Sequence, residues 1–133
     1  MNAEETAVAA VLSAYESALN HSDTEAVMPL YAPDGVFMPQ FSPTSVGAAA
    51  VRRAYDAVFQ SIALQVKFDV AEIRQVGPEW AIARTNSAGL VKFHSTGQSS
   101  PEANQELFVF QKINGSWKIA RYSFSSVNPP RSA

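Results

Sequence analysis

The order of helical and strand patterns along the chain constrains its fold more than any single motif does. Apolar residues recur at helical spacing in the first half, and from Leu64 onwards they alternate with polar residues as in strands. The strand region contains a strong hairpin signal, Asn114-Gly115, because both central residues of a type I′ turn need positive φ. This order predicts an α+β fold in which a curved antiparallel sheet covers the helices and leaves a pocket between the two layers.

Three helices are predicted before the long strands. The first begins at a capping pair, Asn2 and Glu5, and ends near Asn20. A second, short helix begins at a capping box over residues 22–25 and is limited by Pro29, which has no amide proton to donate. The apolar faces of the first and third helices are predicted to consist of Val8, Val11, Leu12, Tyr15, Ala18 and Leu19, and of Val51, Tyr55, Val58, Phe59 and Ile62.

The remaining segments predict a turn and several strands. Residues 32–35 indicate a turn before a short strand at 36–38, and a loop is expected at 95–101. Long strands are predicted from Leu64 onwards, and then over residues 80–93, 105–113 and 117–127. The alternation slips near Ala71-Glu72, which predicts a β-bulge that bends the sheet.

Composition excludes several classes of function. With 133 residues, 47% of them hydrophobic, the chain is expected to form a single domain over residues 1–133. A formal net charge of -2 argues against a nucleic acid partner, and the absence of cysteine removes thiol nucleophiles and zinc-thiolate sites. No apolar run approaches the ~20 residues of a membrane helix, and the acidic start does not resemble a signal peptide. We therefore expect a cytoplasmic protein with no membrane partner.

Three segments carry a resemblance to a known superfamily. They are residues 31–39, 106–110 and 114–121, which read YAPDGVFMP, ELFVF and NGSWKIAR. Together with Tyr15, they make the chain resemble the nuclear transport factor 2-like superfamily, and more narrowly its SnoaL-like and ketosteroid-isomerase-like small proteins. The resemblance covers roughly residues 4–127. It implies a cystatin-like, cone-shaped α+β barrel with three N-terminal helices on a strongly bent, mainly antiparallel sheet, a small apolar ligand inside the cone, and a homodimer formed through the sheet.

The resemblance also implies roles for individual residues. Ketosteroid isomerases pair a first-helix tyrosine and a neutral acid, as an oxyanion hole, with an aspartate base. Tyr15 lies where the tyrosine is expected and Glu106 lies near the neutral acid, which makes these two the candidate catalytic residues. The aspartate position falls at about Pro39, which cannot take a proton, so the familiar steroid isomerisation loses its base. Tyr15 is also explained as a core residue with its hydroxyl at the rim.

Strand alternation allows two orientations for a set of four polar residues, either into the cone or towards the outer face of the sheet. These residues share a strand face with Trp80 on one strand and with Trp117 on another. If the tryptophans point into the cone, the polar residues bind a carbonyl or carboxylate of the ligand. If that face is the outer one, the arginines belong to a dimer interface. The four residues concerned are Arg84, Asn86, Arg121 and Ser123.

The predicted site has apolar walls and no metal ligands. Four aromatic residues are expected to line the cavity, namely Phe37, Tyr55, Phe59 and Phe108. The two histidines, His21 and His94, have no acidic neighbour at ligand spacing, so neither a metal nor another cofactor is expected.

Two hypotheses of different kinds follow. The first is a cofactor-free isomerase- or cyclase-type enzyme, or a binding protein, for an apolar polyketide- or steroid-like ligand that carries a carbonyl or carboxylate. The second is a non-catalytic domain for dimerisation, association or ligand sensing. The superfamily hosts both kinds of protein, so the resemblance does not choose between them.

Overall fold

The helices and strands follow the predicted order and form an α+β architecture. A computed structural model describes residues 1–128, so the last five residues of the predicted domain lie outside the described part. The helices are α1 (Ala3–Asn20), α2 (Thr24–Val27) and α3 (Ala48–Ser61), with a 3₁₀ turn at Met28–Leu30. The strands are β1 (Tyr31–Met38), β2 (Ser45–Val46), β3 (Ile62–Gly77), β4 (Trp80–Phe93), β5 (Ser99–Ile113) and β6 (Ser116–Ser126).

One curled, open sheet contains all six of these strands. Their spatial order is β2-β1-β6-β5-β4-β3, and every neighbouring pair is antiparallel except the parallel pair of β1 and β6. The helices pack on its concave face and bury the apolar stripe that their 3.6-residue period produces. The predicted α+β, cone-like architecture is therefore confirmed.

Polar side chains fix α1 at both ends. At its start, the Asn2 and Glu5 side chains form the predicted capping box. In the first turn, Glu4 accepts hydrogen bonds from Lys112 Nζ at 2.8 Å and from Trp117 Nε1 at 2.6 Å, which join the helix to β5 and β6. The helix dipole favours such a carboxylate near the N-terminus.

At its other end, α1 covers the exposed edge of the sheet. The Asn20 side chain donates to Val66 O at 2.8 Å and accepts from Val66 N at 2.9 Å, and Glu16 accepts from Phe68 N at 2.7 Å. Because β3 is the last strand of the sheet, these groups would otherwise lack a protein partner. The helix therefore serves as a partial substitute for a seventh strand.

Two features bend the sheet around the helices. A register shift between Val70 and Glu72 confirms the bulge predicted near Ala71-Glu72. On the neighbouring strand, a Cβ atom added to Gly89 would lie 1.9 Å from Gln65 O, so β3 and β4 approach each other too closely there for any side chain. Only glycine permits this approach.

A second bulge changes which face of β6 points inward. Val109 pairs with Arg121, but the next residue, Phe110, pairs with Ile119, which leaves Ala120 as an extra residue in β6. An extra residue reverses the alternation of every side chain that follows it. Trp117 and Ile119 are therefore buried before the bulge, and Tyr122 is buried after it.

Several local predictions need correction. The second helix is capped by Asp23, whose side chain accepts from Ala26 N, and Ser22 instead turns the chain with φ 52°. The predicted turn at 32–35 lies within β1 as an irregularity between its paired residues. Strand β5 begins at Ser99, earlier than predicted, because Ser99 already pairs with Lys92 of β4. The hairpin at Asn114-Gly115 is confirmed, with φ values of 50° and 82°.

The contacts of Asn20 lead to a stability prediction. Asn20→Ala should lower the free energy of unfolding by about 1–3 kcal/mol, since two hydrogen bonds worth about 0.5–1.5 kcal/mol each are lost. Urea unfolding followed by tryptophan fluorescence measures the difference. Ser13→Ala, an exposed position on the same helix, is the control and should change stability by less than about 0.5 kcal/mol. Equal stability of the two variants would show that the Asn20 contacts contribute nothing.

Candidate functional site

A cavity of about 150 Å³ lies between the helices and the concave face of the sheet. Its size is close to that of an apolar cavity that accepts one benzene molecule. Aromatic rings form much of the wall, from Tyr15, Phe37, Tyr55, Phe68, Tyr122 and Phe124. Aliphatic side chains are supplied by Leu19, Pro39, Val58, Ile62, Leu64 and Val66, and polar ones by Ser87, Glu102, Asn104 and Glu106.

Glu106 is a buried carboxyl group held by two hydroxyl groups. It is 5% exposed and lies directly opposite Thr85 on the inner face of the β4–β5 ladder. The Thr85 hydroxyl donates to Oε1 at 2.6 Å, and the Ser87 hydroxyl donates to Oε2. Burial raises the pKa of Glu106, while the hydrogen bonds from Ser87 and Thr85 oppose that shift. The carboxyl group therefore keeps its proton to a higher pH than a glutamate in water does.

Three tyrosine hydroxyls form a hydrogen-bonded chain beside the cavity. The Tyr55 hydroxyl lies 2.6 Å from that of Tyr15 and 2.6 Å from that of Tyr31. Burial raises the pKa of all three well above the usual tyrosine value, so they are neutral donors near pH 7. Each hydroxyl has one proton, so Tyr55 can donate to only one of these two neighbours. Helices α1 and α3 and the first residue of β1 supply these side chains.

The structure brings the two candidate catalytic residues to the same cavity. Tyr15 and Glu106 both form part of its wall, although they come from α1 and β5. Of the four aromatic residues predicted to line the cavity, Phe37 and Tyr55 do so and stack at 4.7 Å between ring centroids.

The other two predicted aromatic residues lie behind the wall. Phe108 is completely buried and stacks on Tyr122 at 4.2 Å between ring centroids, so Tyr122 separates it from the cavity. Phe59 packs against Tyr55 at 6.1 Å. Both therefore support the cavity wall, and the prediction that they line it needs correction.

The prediction that Arg84 and Asn86 point into the cone is wrong. Their strand β4 turns the small Ala81 and Ala83 inward, where they lie opposite the bulky Phe110 and Phe108 of β5. This pairing of small with large side chains places the alternate residues of β4 outside.

Arg84 is consequently exposed on the convex face of the sheet. Its Nε atom lies 2.6 Å from Glu72 Oε1, and its partner across the β4–β5 ladder is Leu107, which is itself 46% exposed. Asn86 lies on the same face.

The inward placement of Arg121 and Ser123 is wrong for a different reason. The sequence prediction extended the alternation from Trp117 through the rest of the strand, but the extra residue Ala120 reverses it. Arg121 is exposed and its guanidinium donates to the carbonyl oxygens of Ala120 and Asp34, at 2.7 and 3.3 Å. All four polar residues therefore lie on the outer face. On β4 this is the face of Trp80, as the second interpretation required, whereas on β6 Trp117 lies on the inner face and only the bulge places Arg121 and Ser123 outside.

Sequence reasoning missed the hydroxyl groups that hold Glu106. Thr85 and Ser87 continue the two-residue spacing of Ala81 and Ala83, and this run of small residues marks the inner face of β4. That signal was present in the sequence, but the large Trp80 on the alternate positions left the direction of the strand face open. Trp80 is in fact 43% exposed.

Neither of two further classes of site is found in the described part of the chain. Between residues 1 and 128, no group of three or more histidine or acidic side chains has an arrangement that could hold a metal ion. In the same range, no helix combines the length and apolar character needed to span a membrane.

Comparison with known proteins identifies similar domains. A family model described as a SnoaL-like domain matches residues 8–129. A ketosteroid isomerase-like protein from Erwinia carotovora atroseptica is 34% identical with a TM-score of 0.93, over 97% of this chain and 100% of that one. No curated protein matches the chain.

Two less similar structures support the fold alone. A nuclear transport factor 2-like superfamily protein from Salmonella enterica has a TM-score of 0.81 at 16% identity, over 97% of this chain and 93% of that one. An uncharacterised protein with a cystatin-like fold from Caulobacter vibrioides has a TM-score of 0.78 at 20% identity, over 93% and 89%. The cystatin-like fold expected from the sequence is thereby confirmed.

The hydroxyl contacts of Glu106 predict how its pKa responds to mutation. The pKa should lie above the ~4.3 typical of glutamate, and Ser87→Ala should raise it further, because the lost hydrogen bond favours the ionised form. Carbon-13 NMR of the Glu106 carboxyl group across a pH series measures both values. Ser123→Ala removes a hydroxyl from the outer face of the sheet and should leave the titration unchanged. A lower pKa in Ser87→Ala would contradict the assignment.

The same shift predicts a pH dependence of stability. The pKa of Glu106 is higher in the folded chain than in the unfolded chain, so at pH values between the two the folded chain binds more protons. The free energy of unfolding therefore falls as pH rises through that interval. Glu106→Gln lacks this titration. In urea unfolding from about pH 4 to about pH 8, the free energy of unfolding of the variant should therefore rise relative to that of the wild-type protein as pH rises. A constant difference would contradict the raised pKa.

Proposed function

We propose, from the premise that this chain belongs to the SnoaL-like domain family, that its cavity is a cofactor-independent active site that moves a proton on an apolar carbonyl compound. One observation carries the proposal: Glu106, a buried carboxyl group with a raised pKa, shares an apolar cavity with the hydroxyl-bearing side chain of Tyr15. Perturbed acids in such cavities are frequent acid–base catalysts. The isomerase class is also supported by the similarity to the ketosteroid isomerase-like protein.

Tyr15 is suited to hold the carbonyl oxygen of the substrate. If Tyr31 donates to Tyr55 and Tyr55 donates to Tyr15, the proton of the Tyr15 hydroxyl is left for the Tyr122 hydroxyl or for a ligand oxygen that takes the place of that contact. A donor that is already oriented stabilises the negative charge that develops on the oxygen of an enolate. Hydrogen bonds in a chain also strengthen one another.

Glu106 is suited to move the proton. In its ionised form it takes a proton from the carbon next to the carbonyl, and the C–H electron pair moves into the enolate, whose oxygen accepts the Tyr15 hydrogen bond. The resulting carboxylic acid returns the proton to another carbon of the conjugated system, which completes an isomerisation. Burial brings the pKa of Glu106 closer to neutral pH, where a general base is most effective.

This assignment differs from the familiar steroid isomerase arrangement in the origin of the base. The resemblance expects an aspartate at about position 39, but Pro39 forms part of the cavity wall and has no group that accepts a proton. In our proposal the base comes from β5, and the two hydroxyls of β4 fix its orientation.

Isomerisation of cyclohex-3-enone to conjugated cyclohex-2-enone, followed by ultraviolet absorbance, tests the proposal. Glu106→Gln should lower kcat by about 10²–10⁴-fold, because general base catalysis is lost. Tyr15→Phe should lower kcat by about 10²–10³-fold, the effect of removing one oxyanion donor.

The control for both variants is Ser123→Ala, a polar substitution on the opposite face of the sheet, which should retain wild-type activity. Full activity of Glu106→Gln would exclude Glu106 as the base. Binding of cyclohex-2-enone by a wild-type protein that gives no turnover would favour a ligand-sensing domain.

The outer face of the sheet supports a second proposal, that two copies of the chain associate there. Trp80 and Leu107 are large apolar residues that are 43% and 46% exposed on this face. Arg84 and Arg121 accompany them, and tryptophan and arginine are both enriched at protein interfaces. Association through this face leaves the cavity on the opposite side of the sheet, so dimerisation and catalysis are compatible.

Light scattering tests the association. The wild-type protein should have twice the mass of one chain, and Leu107→Asp should have the mass of one chain, because a charge is placed within the apolar interface. Val46→Asp is the matched control: this residue is also exposed but belongs to the small strand β2, and the variant should remain dimeric. A wild-type monomer, or a dimeric Leu107→Asp variant, would contradict the proposal.

A further inference from the structure

Acidic groups are present in the wall of the cavity, and basic groups are not. Glu102 and Glu106 lie four residues apart on the inner face of β5, and no lysine, arginine or histidine is found among the described residues of the wall. The arginines of the neighbouring strands point to the outer face, where Arg84 pairs with Glu72. Among residues 1–128, a ligand in the cavity therefore meets two carboxyl groups and no positive charge.

The two carboxyl groups differ in depth. Glu106 is 5% exposed, whereas Glu102 is only partly buried, so Glu102 lies closer to solvent along the strand. Its partner across the β4–β5 ladder is Gly89, where β4 lies too close to β3 for a side chain. A carboxylate at this place lies on the solvent side of the Glu106 site.

We propose that the cavity takes uncharged carbonyl compounds of about one ring and excludes their carboxylate analogues, with Glu102 as the residue that sets this selection. This inference rests on the proposed function and specifies its substrate class. A carboxylate entering the cavity would lose its hydration and find no cation to pair with among the described residues of the wall, which is unfavourable in an apolar environment. It would also face the carboxylate of Glu102 at the solvent side and, beyond it, the ionised form of Glu106, and like charges in one site oppose each other's ionisation.

An uncharged carbonyl group has no such difficulty. It needs a single donor, which the Tyr15 hydroxyl supplies, and the rest of its surface contacts the aromatic wall. The size of the cavity also limits the ligand, because about 150 Å³ is well below the ~300–1,000 Å³ of pockets that hold drug-sized molecules. A single ring fits this volume, as benzene does in cavities of similar size.

Acetophenone and benzoate form a matched pair of probes for this selection, because each has one ring and a carbonyl carbon, but only benzoate is charged at pH 7. Isothermal titration calorimetry of the wild-type protein should give at least tenfold tighter binding of acetophenone. Glu102→Gln should narrow this ratio by strengthening benzoate binding, while acetophenone binding stays the same.

The control for the change in net charge is Glu79→Gln. Glu79 is an exposed residue in the turn between β3 and β4, at the opposite end of β4 from the Gly89–Glu102 pair. This variant should keep the wild-type ratio. Equal binding of the two probes by the wild-type protein, or no binding of acetophenone, would overturn the proposed selection. An unchanged ratio in Glu102→Gln would overturn the role of Glu102.

The outcomes separate this inference from the proposed function. Preference for acetophenone without any Glu106-dependent turnover of cyclohex-3-enone would contradict the catalytic proposal and support the charge selection. Glu106-dependent turnover together with equal binding of acetophenone and benzoate would support catalysis and contradict the selection.

Discussion

The curvature of the sheet begins with one backbone contact, at Gly89, where β3 and β4 lie too close together for any side chain. A sheet that is bent at this glycine, and again at the bulge after Val70, curves far enough around the helices to leave a cavity that they do not fill. Side chains of α1 then satisfy the backbone of the edge strand, which holds the helix over the concave face. Curvature of the backbone therefore creates the space in which the polar groups of the site can act.

Within that space, the inner face of the sheet combines two kinds of side chain. Ala81 and Ala83 make room for the phenylalanines of β5, and the same row of β4 continues as Thr85 and Ser87, whose hydroxyls hold the Glu106 carboxyl group. A buried carboxyl group is costly unless it is hydrogen-bonded, so these hydroxyls keep the acid in a place where its pKa is shifted. The inner face of β4 therefore provides both the space for the phenylalanine rings and the hydroxyl groups that hold the acid.

The sequence was sufficient for features that depend on local chemistry. The order of elements, the Asn114-Gly115 hairpin and the bulge near Ala71 follow from periodicity and turn preferences, and all are found. The direction of the polar side chains was not predictable in the same way. Alternation alone allows Trp80 to face either way, and the large rings of β5, which require small residues opposite them, place it outside. Ala120 has no sequence signal that marks it as an extra residue.

The extra residue in β6 determines the electrostatic character of the site. Trp117 and Ile119 are buried below it, and Tyr122 contributes to the cavity wall above it. If Ala120 were paired within a regular ladder instead of bulged out of it, Arg121 and Ser123 would turn inward in place of Tyr122 and Phe124. The lining would then become cationic without any change in the amino-acid sequence. In this architecture, the loss of one β-bulge is therefore a route from a pocket for neutral molecules to one for anions.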